Sequence, residues 1–182
     1  MSSPAAALHV TMIALVIGAI TACVPVAIPF AIQISTDDLP FRPAPATATC
    51  PVPARSAQDA VVVLTQMNAE RARAGLGALR LSAPLTAIAQ QHACDNAAHQ
   101  SYSHNDSNGA TLAERMRRNG FKSLQVAENI ALGNISAAQV VPAWMTSSHH
   151  AANILLPNIT VVGIAQADGP QSVWVVDFAR LN

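Results

Sequence analysis

From residue 56 onward, apolar positions recur first at helical and later at strand spacing. Val61, Val62, Thr65, Ala69 and Ala72 lie near helical spacing, and Ser56-x-x-Asp59 supplies a start, which predicts a helix from Ser56 to about Ala74. Gly75 and Gly77 end it. Ser82 with Pro84 opens a second helix to about His99, and Leu85, Ile88, Ala89, His92, Ala93 and Asn96 share one of its faces. Ser101 to Gly109 is polar and turn-rich, hence a loop. Thr111-x-x-Glu114 is a capping box opening a helix that ends at Asn119-Gly120, with Arg117 and Arg118 placed at its negative end. Ser136-x-x-Gln139 opens another through Trp144, with Pro142 inside it and a kink expected there.

The period then shortens. Ile159–Ala167 and Ser172–Ala179 are β-rich runs joined by Asp168-Gly169-Pro170, a hairpin signal, and Val126–Ala131 offers a further short strand. Helices first and strands last predict an α+β domain over residues 56–182, with helices packed on a small, mostly antiparallel sheet. A segment of that length can bury a core of its own.

The N-terminal part obeys other rules. Val10–Ala22 is continuously apolar, and its 13 residues suit the core of a signal peptide better than a spanning helix. Ile20-Thr21-Ala22-Cys23 resembles a bacterial lipobox, which makes 1–23 a signal peptide and Cys23 the lipidation site. The segment before it lacks the Lys or Arg that such peptides normally carry, so an uncleaved membrane helix reaching to Ile34 is the alternative. Residues 24–55 read as a spacer; Pro40, Pro43, Pro45, Pro51 and Pro53 keep it extended. The expected location is extracytoplasmic, secreted or membrane-anchored. In such an oxidising compartment Cys50 and Cys94 either form a disulfide or stay reduced, one exposed and one buried.

Composition narrows the partners. The formal net charge is zero and only 11% of residues are charged, with no basic run, so nucleic acid is not an expected partner. The membrane is expected only through the leader or lipid anchor.

The candidate chemistry lies in histidines and one acid. His104 sits in a polar loop, His150 in Ser148-His149-His150-Ala151, and Glu128 between apolar neighbours in Ala127-Glu128-Asn129-Ile130. A carboxylate in an apolar strand needs a compensating charge or donors; a nearby protonated His or a metal would serve. His92, on the apolar face of its helix, reads as a satisfied core histidine. The spacing matches no local metal motif, and no Gly-x-Ser-x-Gly elbow supports a serine triad.

Several short pieces appear in order: Met67-Asn68-Ala69-Glu70-Arg71, Gln90-Gln91-His92-Ala93, Ser103-His104, Glu128-Asn129-Ile130, Trp144 to Leu155, and Val162-Gly163. Together they resemble the CAP superfamily of cysteine-rich secretory proteins, venom antigens and pathogenesis-related proteins, in its bacterial SCP-like branch. The resemblance implies an α-β-α sandwich and a cleft where members gather two His and two Glu, sometimes around zinc. His104, Glu128 and His150 match three of those positions and are the expected metal ligands. Ser147 stands where many eukaryotic members carry the second Glu. Asn129, Asn153 and Ser147 are expected to support the cleft. Family likeness implies a non-enzymatic envelope binding protein for a lipid, peptide or other ligand. The alternatives are a metal-assisted hydrolase using the same cleft and a purely structural envelope protein.

Overall fold

A computed structural model describes residues 50–181. The leader, the lipobox with Cys23 and the spacer up to residue 49 lie outside the described residues. The described chain forms five helices and four strands: α1 (Ser56–Arg73), β1 (Arg80–Leu81), α2 (Ala83–His99), α3 (Leu112–Arg118), β2 (Gln125–Leu132), α4 (Ala137–Met145), α5 (Ser148–Ile154), β3 (Val161–Ala167) and β4 (Val173–Arg180).

The sheet runs β1-β3-β4-β2, antiparallel except for the parallel β1–β3 pair. β4 is therefore central and buried along Val173–Ala179, while β2 is an edge. Alternation sorts the side chains between two layers. Trp174, Val176 and Phe178 meet Val63, Met67, Val140 and Trp144 of α1 and α4. Val173 and Val175, with Ile130 of β2, meet Ala89, Ala93 and Ala97 of α2. Leu85, Ile88 and Met116 close the same layer over Val161 and Ala179. This is the expected α+β sandwich, with α2 and α3 on one face and α1, α4 and α5 on the other.

Particular residues fix these contacts. At Gly163 a Cβ would stand 2.3 Å from the Leu85 carbonyl carbon, so only glycine lets the start of α2 lie this close to β3. Pro142 has no N–H for the Ala138 carbonyl one turn back, and Gln66 of α1 donates to that oxygen instead (3.0 Å). The freed acceptor thus ties α1 to α4.

Two elements were missed in the sequence. β1 has two residues and α5 seven, both too short to show a period. α1 starts at Ser56 as expected, with Arg55 as its N-cap and no side-chain cap. The Thr111/Glu114 and Ser136/Gln139 boxes both form.

Cys50 and Cys94 are joined in a disulfide that closes a 44-residue separation. Asp168 N–H donates to the Pro51 carbonyl (2.9 Å), and Ser56 N–H to that of Pro53 (2.9 Å). The last residues of the Pro-rich stretch therefore lie against α2 and the β3–β4 hairpin. By loop closure, such a bridge contributes about 2–4 kcal/mol. Among the described residues no helix is long and apolar enough to cross a membrane.

Candidate functional site

The site is built around Glu128, on edge strand β2. Alternation points its side chain toward the α2–α3 layer, where it is 7% exposed. The neighbouring Asn129 points to the other layer, so β2 presents one polar group to each side. From the first layer the loop after α2 brings His104, whose Nδ1–H donates to Glu128 Oε1 (2.8 Å). From the second, α5 brings His150, whose ring centroid lies 6.5 Å from that of Trp144.

Glu128 Oε2 receives a hydrogen bond from Arg115 of α3, a residue 4% exposed. The same guanidinium donates from Nη1 to the carbonyls of His104 (2.7 Å) and Ala110 (3.2 Å). His92 Nε2 stands 3.8 Å from Glu128 Oε2. Both carboxylate oxygens are thus occupied. Burial alone would push Glu128 up; the Arg115 charge, then the His104 hydrogen bond, outweigh it and hold the carboxyl below the usual range. The charge that compensates this strand carboxylate most strongly is that of Arg115, which the sequence did not name, and His104 adds the expected donor.

Asp177 stands beside Glu128 on β4, fully buried, with Gly163 beyond it in the same row. Burial, then the Glu128 charge, push its carboxyl well above the usual range. Among the described residues no N–H or hydroxyl donor reaches either oxygen. A proton kept on Asp177 spares the buried pair two adjacent negative charges. Folded Asp177 binds a proton that the unfolded chain has released, so its contribution to stability falls as pH rises from the ordinary Asp range toward its raised folded value. Asp177→Asn keeps the shape and supplies a permanent donor. Its stability should match or exceed that of the unsubstituted chain at neutral pH, with a flatter dependence on pH in urea titrations. A loss above ~2 kcal/mol would show that Asp177 is needed as an anion.

Other residues hold the frame. His92 Nε2–H donates to the Ser103 carbonyl (2.9 Å), and Asn96 joins it there (3.1 Å) while its Oδ1 accepts from Ser101 Oγ (2.6 Å) and Ser103 N–H (3.2 Å). His92 is therefore a buried anchor of the His104 loop, satisfied at Nε2 only; its Nδ1 has no partner. Across the strand, Asn129 Nδ2 donates to the His150 carbonyl (3.1 Å), and Asn153 Nδ2 to the Glu128 carbonyl (3.1 Å) and Asn129 Oδ1 (2.9 Å). These two amides fasten α5 to β2. Ser147 is the N-cap residue of α5, and its carbonyl accepts from Ala151 N–H (2.9 Å). It supports the helix through its backbone.

His150 is half-buried. Burial, then the charges of His104 and His149, lower its pKa. The His104 side chain is 62% exposed, and with Nδ1 on Glu128 its Nε2 is left with a lone pair. Among the described residues no three His, Cys, Asp or Glu side chains are grouped to hold a metal ion. The donors that could serve a zinc ion here are the imidazoles of His104 and His150, and the carboxylate of Glu128 stands behind His104 as its orienting partner. The recess also leaves little free backbone: the outward Ile130 carbonyl accepts from Tyr102 Oη (3.0 Å) and Trp144 Nε1 (3.3 Å), and that of Glu128 from Asn153.

Arg115 and Asp177 were missed in the sequence. The acid interrupting Val173-Trp-Val-Val-Asp-Phe-Ala179 was a signal for Asp177. Nothing in the chain distinguished Arg115 from Arg117 and Arg118.

Known proteins resemble this chain in both sequence and fold. The protein named YkwD of Bacillus subtilis is 32% identical over 132 residues, which is 72% of this chain and 50% of that protein. An extracellular SCP-domain protein from Bacillus anthracis superposes with a TM-score of 0.64 at 22% identity, covering 69% of this chain and 41% of that one. An outer surface protein of Borrelia burgdorferi superposes at 0.67 with 18% identity, over 74% of this chain and 100% of that one. The chain thus spans about half, or less, of the two Bacillus proteins. The model of the cysteine-rich secretory protein family matches residues 64–178, more than half of the sequence. This chain belongs to the cysteine-rich secretory protein (CAP) family.

Proposed function

We propose that the chain is an extracytoplasmic, non-enzymatic binding module whose ligand sits in the recess between His104 and His150. The observation that carries this reading is a solvent-facing imidazole locked by buried Glu128 on edge strand β2, the same strand to which Asn129 and Asn153 fasten the helix that carries His150. Neither carboxyl at the site is free to act as a general base: Glu128 is held by Arg115 and His104, and Asp177 is buried. The capped carbonyls of Glu128 and Ile130 oppose strand addition, so a ligand there meets side chains, as a lipid or other small molecule would. The disulfide suits an oxidising compartment, and two of the similar structures are named as extracellular or outer-surface proteins.

Zinc is the proposed cofactor of the recess. Neutral imidazoles are good zinc donors, and a carboxylate behind one of them raises its basicity. Calorimetric titration of the purified chain should give one zinc per molecule. His104→Ala and His150→Ala should each reduce affinity by roughly 100-fold, since each removes half of the protein ligands. Zinc binding that survives both substitutions would place the metal elsewhere, and no binding to the unsubstituted chain would remove zinc from the proposal.

A further inference from the structure

We propose that Arg115 is the positioning residue for His104, fixing which ring nitrogen the recess presents. The inference rests on the reading of the recess given above. Arg115 holds both ends of His104: it donates from Nη1 to the His104 carbonyl (2.7 Å) and from Nη2 to the carboxylate whose other oxygen takes the His104 Nδ1 proton. A third bond, to the Ala110 carbonyl (3.2 Å), ties the far end of the same loop. Only a guanidinium offers donors in a planar fork that can meet acceptors in different directions at once.

The geometry of α3 makes this possible. The Thr111/Glu114 box fixes the first turn of the helix, and Arg115 follows directly. One turn on, Arg118 donates to Asp106 Oδ2 (3.1 Å), and Asp106 Oδ1 accepts the N–H groups of Asn108 (3.0 Å) and Ala110 (2.7 Å). The loop from His104 to Ala110 is therefore held from α3 by two buried arginines. Arg118 braces the loop, whereas Arg115 reaches the histidine.

The consequence is chemical as well as steric. With its counter-charge in place Glu128 is an acceptor only, so neutral His104 carries its proton on Nδ1 and leaves Nε2 unprotonated. Free neutral imidazole favours the opposite tautomer. Removing the Arg115 fork frees the His104 carbonyl and releases the Glu128 carboxylate from its fixed orientation. The exposed nitrogen then ceases to be a constant lone-pair donor.

Nitrogen-15 spectra of the histidine side chains above pH 8 test this in the full chain. The unsubstituted chain should show His104 with a protonated Nδ1. In folded Arg115→Lys, one ammonium cannot serve all three acceptors; His104 should shift to a mixture of tautomers and zinc affinity should fall roughly 10–100-fold. A residue that only stabilised the fold would lower the melting temperature and leave the tautomer of the folded molecules alone. His104 keeping Nδ1–H in folded Arg115→Lys would overturn the proposal. If that variant does not fold, Arg115→Met/Glu128→Gln, which leaves no uncompensated buried charge, replaces it with the same two outcomes. Failure of the unsubstituted chain to bind zinc would count against the recess as a metal site, while the tautomer would still decide the role of Arg115.

Discussion

Arg71→Met should cost on the order of 3–5 kcal/mol of folding stability, read as a lower denaturant midpoint at unchanged slope. The Arg71 guanidinium is fully buried, and among the described residues no carboxylate pairs with it. It donates instead to four carbonyls: Gly77 (2.8 Å), Ile154 (2.8 Å), Leu156 (2.8 Å) and Ile159 (3.2 Å). Each stranded acceptor costs ~1–3 kcal/mol before the backbone relaxes, and a domain of this size has only about 5–15 kcal/mol to lose. Burial lowers the pKa of Arg71, yet the carbonyl dipoles are arranged around a cation. Lysine keeps the charge but not the fork, so Arg71→Lys should recover less than half of the loss. The effect should reach the site too. Ile154 and Leu156 lie at and just beyond the end of α5, so Arg71 holds the helix that carries His150. A change below ~1 kcal/mol for Arg71→Met would mean that water satisfies these carbonyls equally well.

Glu128→Leu should be nearly as damaging, at about 3–5 kcal/mol, because it leaves the Arg115 charge buried without its counter-ion. The diagnostic comparison is with Arg115→Met/Glu128→Leu. Replacing both members of a buried pair by apolar groups is often neutral or stabilising, so the double variant should regain most of the loss while losing the orientation of His104. If the double variant is as unstable as the sum of the two single ones, Glu128 and Arg115 are not energetically coupled. The pH dependence has a definite sign. Folded Glu128 is held below its ordinary range, so its contribution is present above the unfolded pKa and is lost as pH falls through the folded one. Glu128→Leu should flatten that acid limb.

These two residues mark where the sequence was legible and where it was not. The long amphipathic helices, the capping box at Thr111 and the closing hairpin follow from local rules, and the structure places them within a residue or two of expectation. Glu128 stood out because a carboxylate among apolar strand residues demands a partner. The partner could not be named: Arg115 lies 13 residues away on a different element, and periodicity reports a face, not who meets it. His104 and His150 stood among the candidate histidines, but their joint role came from family resemblance, since spacings of this length match no local motif. Arg71 appeared inside the Asn-Ala-Glu-Arg piece, but its job depends on carbonyls more than 80 residues away, at α5 and the start of β3. α5 itself was hidden because seven residues supply two turns and almost no period.

One spectroscopic titration bears on the shared recess without requiring any ligand. Following the His150 ring by NMR should show a pKa below the ordinary histidine value, depressed by burial and then by the neighbouring imidazole charges. Because His104 is one of those charges, His104→Gln should move the His150 titration upward. An unchanged His150 titration in the folded variant would mean that the two rings do not face a common space.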